Sequence, residues 1–368
     1  MSAPAIRRGR VAQQRQALRR TRWILLLGLA WSPLAWAQSP DGETPEEPPR
    51  SLAELIESAT DSAPEFTSAL PWLDVIGRSA LGQVDARDWR PLGLGNLLEG
   101  WDEPYAPVPE DEGAAPRQTW INSTDGPFFR LFAFYFAYLN GIHNNRTGYQ
   151  GQLFVFTPLS RRLEVGWFLP FVEATPNLLN PGGIPYTTAV GDLTIEPRIL
   201  LAEDRRYTIT TNLYIRLPTG SIRNGQGVAS LSPDIEFWTN PIPHWVIRGA
   251  AGVTIPTNET AARVPYLDLS PFSGFNTTPG PFSSFDARLA IGKYLTPPDA
   301  RIFPNFVAYV SSNFHTEISG GNATFLSLTP GVRFGLGNRW YFLGGLDVPV
   351  VGPLPFHAEA IFLIMKNY

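Results

Sequence analysis

The histidines are the side chains of this 368-residue chain best suited to acid–base or metal chemistry near neutral pH. There are four, and His143, His244 and His315 fall in predicted loops or turns without the spacing of metal ligands. His357 and Glu359 share the polar face of the last predicted strand, where they could form a catalytic pair or simply line an interior. A hydrolase also needs an activated nucleophile, and the chain contains no G-x-S-x-G motif. We therefore expect no enzyme activity, no catalytic residue, no metal site and no cofactor.

The charged residues at alternating positions form a second candidate set. Around Glu196 and Arg198, apolar residues such as Ile195 alternate with polar ones, which is typical of a strand with one apolar and one polar face. In one interpretation the polar faces line a path and select solutes by charge. In the other, which is compatible with the first, acids and bases pair across strands and hold the interior together. The lumen-lining candidates are Asp192, Glu196, Arg198, Arg216, Glu236, Arg248, Asp286, Arg288, Arg333 and Glu359.

Twelve segments between residue 127 and Tyr368 have the alternation, or the β-branched and aromatic content, of strands. Every second connection between them is short, whereas most of the others are long. Outer-membrane β-barrels have this asymmetry, because tight turns face the periplasm and longer loops face outward. The predicted strands are 127–139, 149–157, 162–173, 191–201, 207–217, 231–239, 245–255, 284–295, 302–312, 324–336, 340–350 and 356–368.

The strand pattern fits two architectures, which differ in what touches the apolar face. In a soluble β-sandwich the apolar faces pack between two sheets, whereas in a transmembrane barrel they face lipid. Tyr207, Trp245, Trp340 and Tyr368 lie at predicted periplasmic strand ends, where aromatic rings favour the membrane–water boundary. The terminal aromatic also resembles the signal that the outer-membrane barrel assembly machinery reads. We therefore predict an all-β fold, a transmembrane antiparallel up-and-down β-barrel of about twelve strands, with an N-terminal mostly irregular segment.

Residues 1–37 have the order of a secretory signal peptide. Seven arginines lie between Arg7 and Arg22, and the apolar run that follows closes with Ala35-Trp36-Ala37. An organelle transit peptide is the alternative, but such a peptide would be amphipathic and would lack the compact apolar block. Removing seven positive charges changes the formal charge from −4 to about −11, which disfavours a nucleic-acid partner.

The rest of the chain divides by composition. Residues 38–50 are rich in proline and glutamate, which predicts a linker. Residues 51–126 are predicted to form a periplasmic or plug-like extension, and residues 127–368 are predicted to form the barrel. Within the extension, residues 51–59 predict a helix opened by a Ser51–Glu54 capping box, and residues 71–83 a second short helix. No apolar run long enough for a membrane-spanning helix follows the signal, and the chain has no cysteine for a disulfide or a lipid anchor. Two predicted outer loops, around Gly182-Gly183 and residues 275–285, could narrow the mouth or stay exposed.

Three blocks carry a resemblance to a known family. "GDLTIEPRILL", "YIRLPTGSIRNGQG" and "LSPDIEFW" resemble the GDL, RLPTG and LSP blocks of outer-membrane transporters of the MetA-pathway of phenol degradation family. The blocks cover roughly residues 191–238, and the strand pattern extends the likeness to Tyr368. The resemblance implies a β-barrel that passes small molecules, aromatic ones among them.

Together these observations predict an outer-membrane channel or transporter for the passive uptake of small, aromatic or hydrophobic, molecules. The alternatives are a structural or adhesive barrel without transport and a membrane-embedded hydrolase. The expected partners are outer-membrane lipid, the barrel assembly machinery acting on the C-terminal strand, and a small-molecule solute. The expected location is the bacterial outer membrane.

Overall fold

Twelve β-strands dominate the computed structural model, which describes residues 71–82, 84–109, 115–142, 146–174, 190–220, 229–258, 283–319, 324–352 and 356–368. The predicted signal peptide, linker and 51–59 helix lie outside the described residues, as do Gly182-Gly183 and most of 275–285. The strands are β1 Leu131–Ile142, β2 Arg146–Pro158, β3 Leu163–Ala174, β4 Thr194–Asp204, β5 Tyr207–Arg216, β6 Ser230–Ile242, β7 Trp245–Pro256, β8 Ser284–Tyr294, β9 Val307–Glu317, β10 Thr324–Gly337, β11 Trp340–Val351 and β12 Ala358–Asn367.

The sheet closes on itself. Each strand pairs antiparallel with its neighbours in sequence, and β1 also pairs with β12. In the closing pair, Tyr135 lies opposite Leu363 and Ala137 opposite Ile361. A closed ring leaves no strand edge with unpaired backbone groups, which is the condition for a sheet in hydrocarbon. The predicted barrel and its strand number are confirmed, and the alternative of a β-sandwich is wrong.

The ring is apolar outside and polar inside. On β6, Ile235 and Phe237 are 51% and 38% exposed, whereas Glu236 between them is 3% exposed. The same inversion recurs on β7 and β8, where the charged Arg248 and Asp286 are buried and the apolar Leu289 is exposed. Such an extensive apolar exterior is stable against lipid rather than water. The period-two alternation therefore places hydrocarbon on the apolar side of the ring.

The starts of β1 and β9 differ most from the prediction, by four and five residues. β1 begins at Leu131 rather than at residue 127, because the Phe129 N–H donates to the Glu164 side chain instead of a neighbouring strand. β9 begins at Val307 rather than at residue 302, because a turn precedes it in which the Asn305 N–H donates to the Pro297 carbonyl. The shift of β9 also carries its end to Glu317.

The N-terminal part packs at the end of the ring with short turns. Helix α1, Pro71–Leu81, forms in the predicted 71–83 segment, and short 3-10 turns follow at Ala86–Asp88 and Leu94–Asn96. The guanidinium of Arg162, fully buried in the β2–β3 turn, donates to the carbonyls of Asn96 (2.6 Å) and Glu99 (2.9 Å). Among the described residues, no helix has the length and apolarity needed to cross a membrane.

Candidate functional site

Residues 115–129, the interior segment, run inside the ring of strands. Trp120 and Ile121 in this segment are fully buried. Backbone N–H groups of the segment donate to side chains that point inward from β3, β6 and β9, and β3 and β9 lie on opposite sides of the ring. The segment therefore crosses the lumen rather than lying along one wall. The donor–acceptor pairs are Ala115 to Asn240 (3.1 Å), Ile121 to Tyr309 (2.8 Å), Gly126 to Glu236 (2.9 Å) and Phe129 to Glu164 (2.5 Å).

Local chemistry explains why these residues can turn inside a lumen. Asn122 and Gly126 have positive φ angles of 50° and 55°, a conformation that asparagine and glycine adopt most readily. A Cβ at Gly126 would lie 3.0 Å from the Trp238 Cβ, so the close approach to β6 also requires glycine. The Asn122 amide donates to Thr329 on β10 at 2.9 Å. Short polar side chains thus let the segment hydrogen-bond to side chains of the wall instead of to the backbone of a neighbouring strand.

Arg248 on β7 holds the interior segment at two points. Its guanidinium donates to the carbonyls of Gln118 (2.5 Å) and Thr124 (2.9 Å) and lies 4.1 Å from the centre of the Trp120 ring. The other face of the indole stacks on Tyr309 of β9, with 4.7 Å between ring centres. Charge-assisted hydrogen bonds between buried groups are strong, so Arg248 holds the segment firmly to β7.

Arg198 on β4 is the centre of a buried ionic cluster. Its guanidinium donates to Glu164 and forms ion pairs with Glu196 (3.4 Å) and Glu236 (3.3 Å). It also donates to the Gly126 carbonyl at 3.3 Å, and all four charged side chains are buried. One cation therefore joins three wall strands to the interior segment.

Four further candidates make pairs on the wall. Asp192 and Arg216 form an ion pair at 3.3 Å, and the Tyr135 hydroxyl donates to Glu359 at 3.0 Å. Asp286 lies 2.6 Å from Nδ1 of His315. The prediction that His315 lies in a loop is wrong, because the late start of β9 places it on the inner face of that strand.

The remaining lumen candidates are Arg288 and Arg333. Arg288 is partly buried on β8 and Arg333 is fully buried on β10. The Arg333 guanidinium lies 3.9 Å from the centre of the Tyr341 ring. Within the described residues, none of its three nitrogens has a hydrogen-bond partner. Nine of the ten candidates are thus buried and Arg288 is partly buried. Their role in lining a path for solutes stays a prediction.

The candidate catalytic pair does not form. His357 is exposed and precedes β12, whereas Glu359 is buried and bonded to Tyr135. The shared polar face predicted for these two residues is therefore wrong. In the described part of the chain, no group of histidine, aspartate and glutamate side chains could hold a metal ion.

The four candidate interface aromatics lie at the short-turn end. Tyr207 and Tyr368 are 40% and 39% exposed, and Trp245 and Trp340 are partly exposed. Lys293 and Lys366 place their ammonium groups 5.6 Å from the Trp245 and Trp340 ring centres, respectively. Such amphipathic neighbours suit a boundary between lipid and water. Their role as membrane-interface anchors stays a prediction.

A cavity of about 630 Å³ opens between the interior segment and the short turns. Arg117 in its wall forms an ion pair with Glu203 at 2.6 Å. No sequence pattern indicates this cavity, since its walls come from the interior segment and from turns that are remote in the chain. The wall residues with most bearing on ligand chemistry are Arg117, Arg130, Glu203, Tyr294, Tyr341 and Phe129.

Comparison with known proteins gives a family and distant structural likenesses. The family model described as "Putative MetA-pathway of phenol degradation" matches residues 135–350. No curated protein sequence matches the chain significantly.

Among solved structures, the COG4313 outer membrane channel from Pseudomonas putida F1 is similar over 71% of this chain and 100% of its own, with 11% identity and a TM-score of 0.46. The NanC porin is similar over 64% of this chain and 98% of its own, with 8% identity and a TM-score of 0.42. The KdgM porin, solved in complex with disordered oligogalacturonate, is similar over 65% of this chain and 99% of its own, with 4% identity and a TM-score of 0.40. Likeness at this distance carries no information about the solute.

Proposed function

The chain belongs to the MetA-pathway of phenol degradation family, whose model spans more than half its length, and on that premise we propose that it is a gated channel for small molecules. The protein lies in the bacterial outer membrane, because its closed ring presents an apolar exterior to lipid. The solutes we propose are small, with aromatic or hydrophobic molecules among them, and their passage is passive.

The observation that carries the proposal is the charged interior of the ring. A barrel that served only as a membrane anchor could fill its interior with apolar side chains, which cost less to bury than ions. Here Arg198, Arg216 and Arg248 line the same interior, together with the carboxylates that pair with Arg198 and Arg216. A polar wall of this kind suits a path along which solutes are selected by charge and size.

The interior segment is the barrier in this path. In the described structure it crosses the lumen, and Arg248 bonds two of its carbonyls. Passage therefore requires the segment to move aside, and the bonds to Arg248, Tyr309 and Glu236 are those that must break. Segments held mainly by side-chain bonds open more readily than a strand ladder does. The channel we propose is closed at rest.

Solute flux into liposomes tests the channel. Purified protein is reconstituted, and entry of benzoate, of benzylammonium and of small sugars is followed against protein-free liposomes. Arg248→Met should raise flux because the segment is released, and Arg216→Gln should change the preference between charged solutes. Arg301→Met is the matched control, since Arg301 is exposed on a turn. Flux equal to that of empty liposomes in the wild type and in both variants would contradict the channel.

A structural barrel without transport is the second candidate, and the filled interior favours it. Bonds from the segment to β3, β6 and β9 would then serve only to stiffen the wall. In that case, releasing the segment should weaken the barrel and the cell envelope without creating flux. Flux and envelope integrity, measured on the same Arg248→Met variant, distinguish the two functions.

A further inference from the structure

Arg333 is a buried cation without an anion beside it. Its side chain is fully buried on β10, and its Nε, Nη1 and Nη2 atoms have no hydrogen-bond partner among the described residues. The same part of the structure contains no carboxylate in ion-pair contact with it, whereas Arg198 on β4 has three. Burying an ionised group without a partner is strongly unfavourable. The N–H groups on these three nitrogens have no acceptor, so an acceptor is missing at this position.

Tyr341 connects this arginine to the cavity at the short-turn end. Its ring lies 3.9 Å from the Arg333 guanidinium and also forms part of the cavity wall. Tyr341 is only partly buried, and its ring packs against the buried core residues, so a turn toward the cavity must break that packing. Such a rotation would expose the guanidinium to the cavity contents.

The rest of the cavity wall combines aromatic rings with positive charge. Phe129 and Tyr294 supply further rings, and Arg130 supplies a guanidinium bonded to the carbonyls of Ser79 (2.6 Å) and Tyr105 (3.3 Å). Glu203 in this wall is already paired with Arg117. The volume of about 630 Å³ is typical of a small-molecule site. The wall therefore favours a ligand that is both negatively charged and aromatic.

We infer that this cavity binds a small aromatic carboxylate, which Arg333 receives through its two-pronged guanidinium when Tyr341 turns aside. The planar fork matches a carboxylate in two parallel hydrogen bonds, and the tyrosine and phenylalanine rings match the ring of the ligand. An inorganic anion can accept hydrogen bonds from the arginine, but it has no ring to pack against the aromatic wall. This inference rests on the proposed channel. It identifies small aromatic carboxylates as solutes that bind transiently at the periplasmic end of the path.

Calorimetric titration of the full chain in detergent micelles tests the site. Benzoate is the probe, and benzyl alcohol is its uncharged counterpart. We expect benzoate to bind and benzyl alcohol to bind at least about tenfold more weakly. The alcohol has no carboxylate to accept charged hydrogen bonds from the arginine. Arg333→Met should weaken benzoate binding about tenfold or more, whereas the exposed control Arg301→Met should leave it unchanged.

A second variant covers the case in which Arg333→Met does not fold. Arg333→Lys keeps the charge but loses the fork, so it should bind benzoate more weakly than the wild type and more tightly than Arg333→Met. Folding of each variant is checked by its gel migration before and after boiling. Absence of benzoate binding by the wild type, equal binding by Arg333→Met, or equal binding of benzyl alcohol would overturn the inference.

The chain itself contains another source of carboxylates. Glu110, Asp111 and Glu112 lie outside the described residues and shortly precede Ala115 of the interior segment in sequence. Benzoate binding that appears only after all three are neutralised to Gln, Asn and Gln would overturn the inference, because the chain would then supply its own acceptor. Benzoate binding without solute flux in liposomes would instead contradict the channel and leave the binding site in place.

Discussion

The guanidinium of Arg248 lies 4.1 Å from the centre of the Trp120 ring, so that a wall residue and the interior segment form one stacked unit. Tyr309 continues the stack on the other face of the indole, at 4.7 Å. The unit joins β7 and β9, the two neighbours of β8 in the ring, through the interior segment. Any movement that opens the lumen must separate these rings from the guanidinium, which makes Arg248 the first position to test.

Arg248→Met should release the interior segment while the barrel stays folded. The carbonyls of Gln118 and Thr124 lose their charged donor, which favours a segment displaced into water. Because the chain has no cysteine, Ser123→Cys gives a single thiol inside the lumen. We expect maleimide to label this thiol about tenfold faster in the Arg248→Met background. The labelling rate of Asp88→Cys, at an exposed position, should be the same in both backgrounds.

Arg198→Met should destabilise the barrel more than the loss of any surface arginine. Glu164, Glu196 and Glu236 would remain buried without their common cation, which typically costs about 3–5 kcal/mol. The free energy of unfolding, from urea titration in detergent, measures the effect, with Arg301→Met as the exposed control. A loss no larger than that of the control would show that water or protonation already neutralises the three carboxyls.

Gly292→Ala should loosen the interior segment from the wall at β8, between Arg248 and Tyr309. A Cβ at this position would meet the Trp120 ring at 2.5 Å and the Tyr309 Cβ at 2.7 Å, so the stack must shift. Overpacking of this kind typically costs about 1–3 kcal/mol. We expect faster labelling of Ser123→Cys and a lower free energy of unfolding. Gly95→Ala is the matched control, because a Cβ there meets nothing within 4 Å.

Ile235→Arg should disrupt membrane insertion, because Ile235 is 51% exposed in the middle of β6 on the apolar side. Arginine at the bilayer midplane of a barrel costs about 2–4 kcal/mol. The folded fraction in lipid vesicles, read from gel migration with and without boiling, should fall. Ile242→Arg, at the short-turn end of the same strand, should cost less because it lies nearer the headgroups.

Period-two alternation predicted the fold well, because a strand between lipid and a polar lumen must alternate along its whole length. The pattern around Glu196, Arg198 and Ile195 therefore located β4 and its two faces correctly. Alternation does not define where a strand begins after an irregular turn. The turn closed by Asn305 and Pro297 shifted β9, and with it His315, from the predicted position.

The sequence left open whether the extension over residues 51–126 is periplasmic or plug-like. Which residues enter the ring could not be predicted, because residues 115–129 have neither period and their position depends on contacts with remote strands. Their short polar residues and Gly126 were the only local signal. The pairing of the lumen charges was equally hidden, since Arg198 on β4 reaches Glu236 on β6 past the intervening β5. Such contacts depend on where side chains extend across the lumen, and strand register alone does not determine them.

Single-channel recording in a planar bilayer shows whether residues 115–129 close a path through the barrel. We expect the wild type to be mostly closed with brief openings, and Arg248→Met to spend a larger fraction of time open at the same conductance. Identical, steady conductance in both proteins would contradict this expectation, because the path would then not pass through the space that the segment occupies.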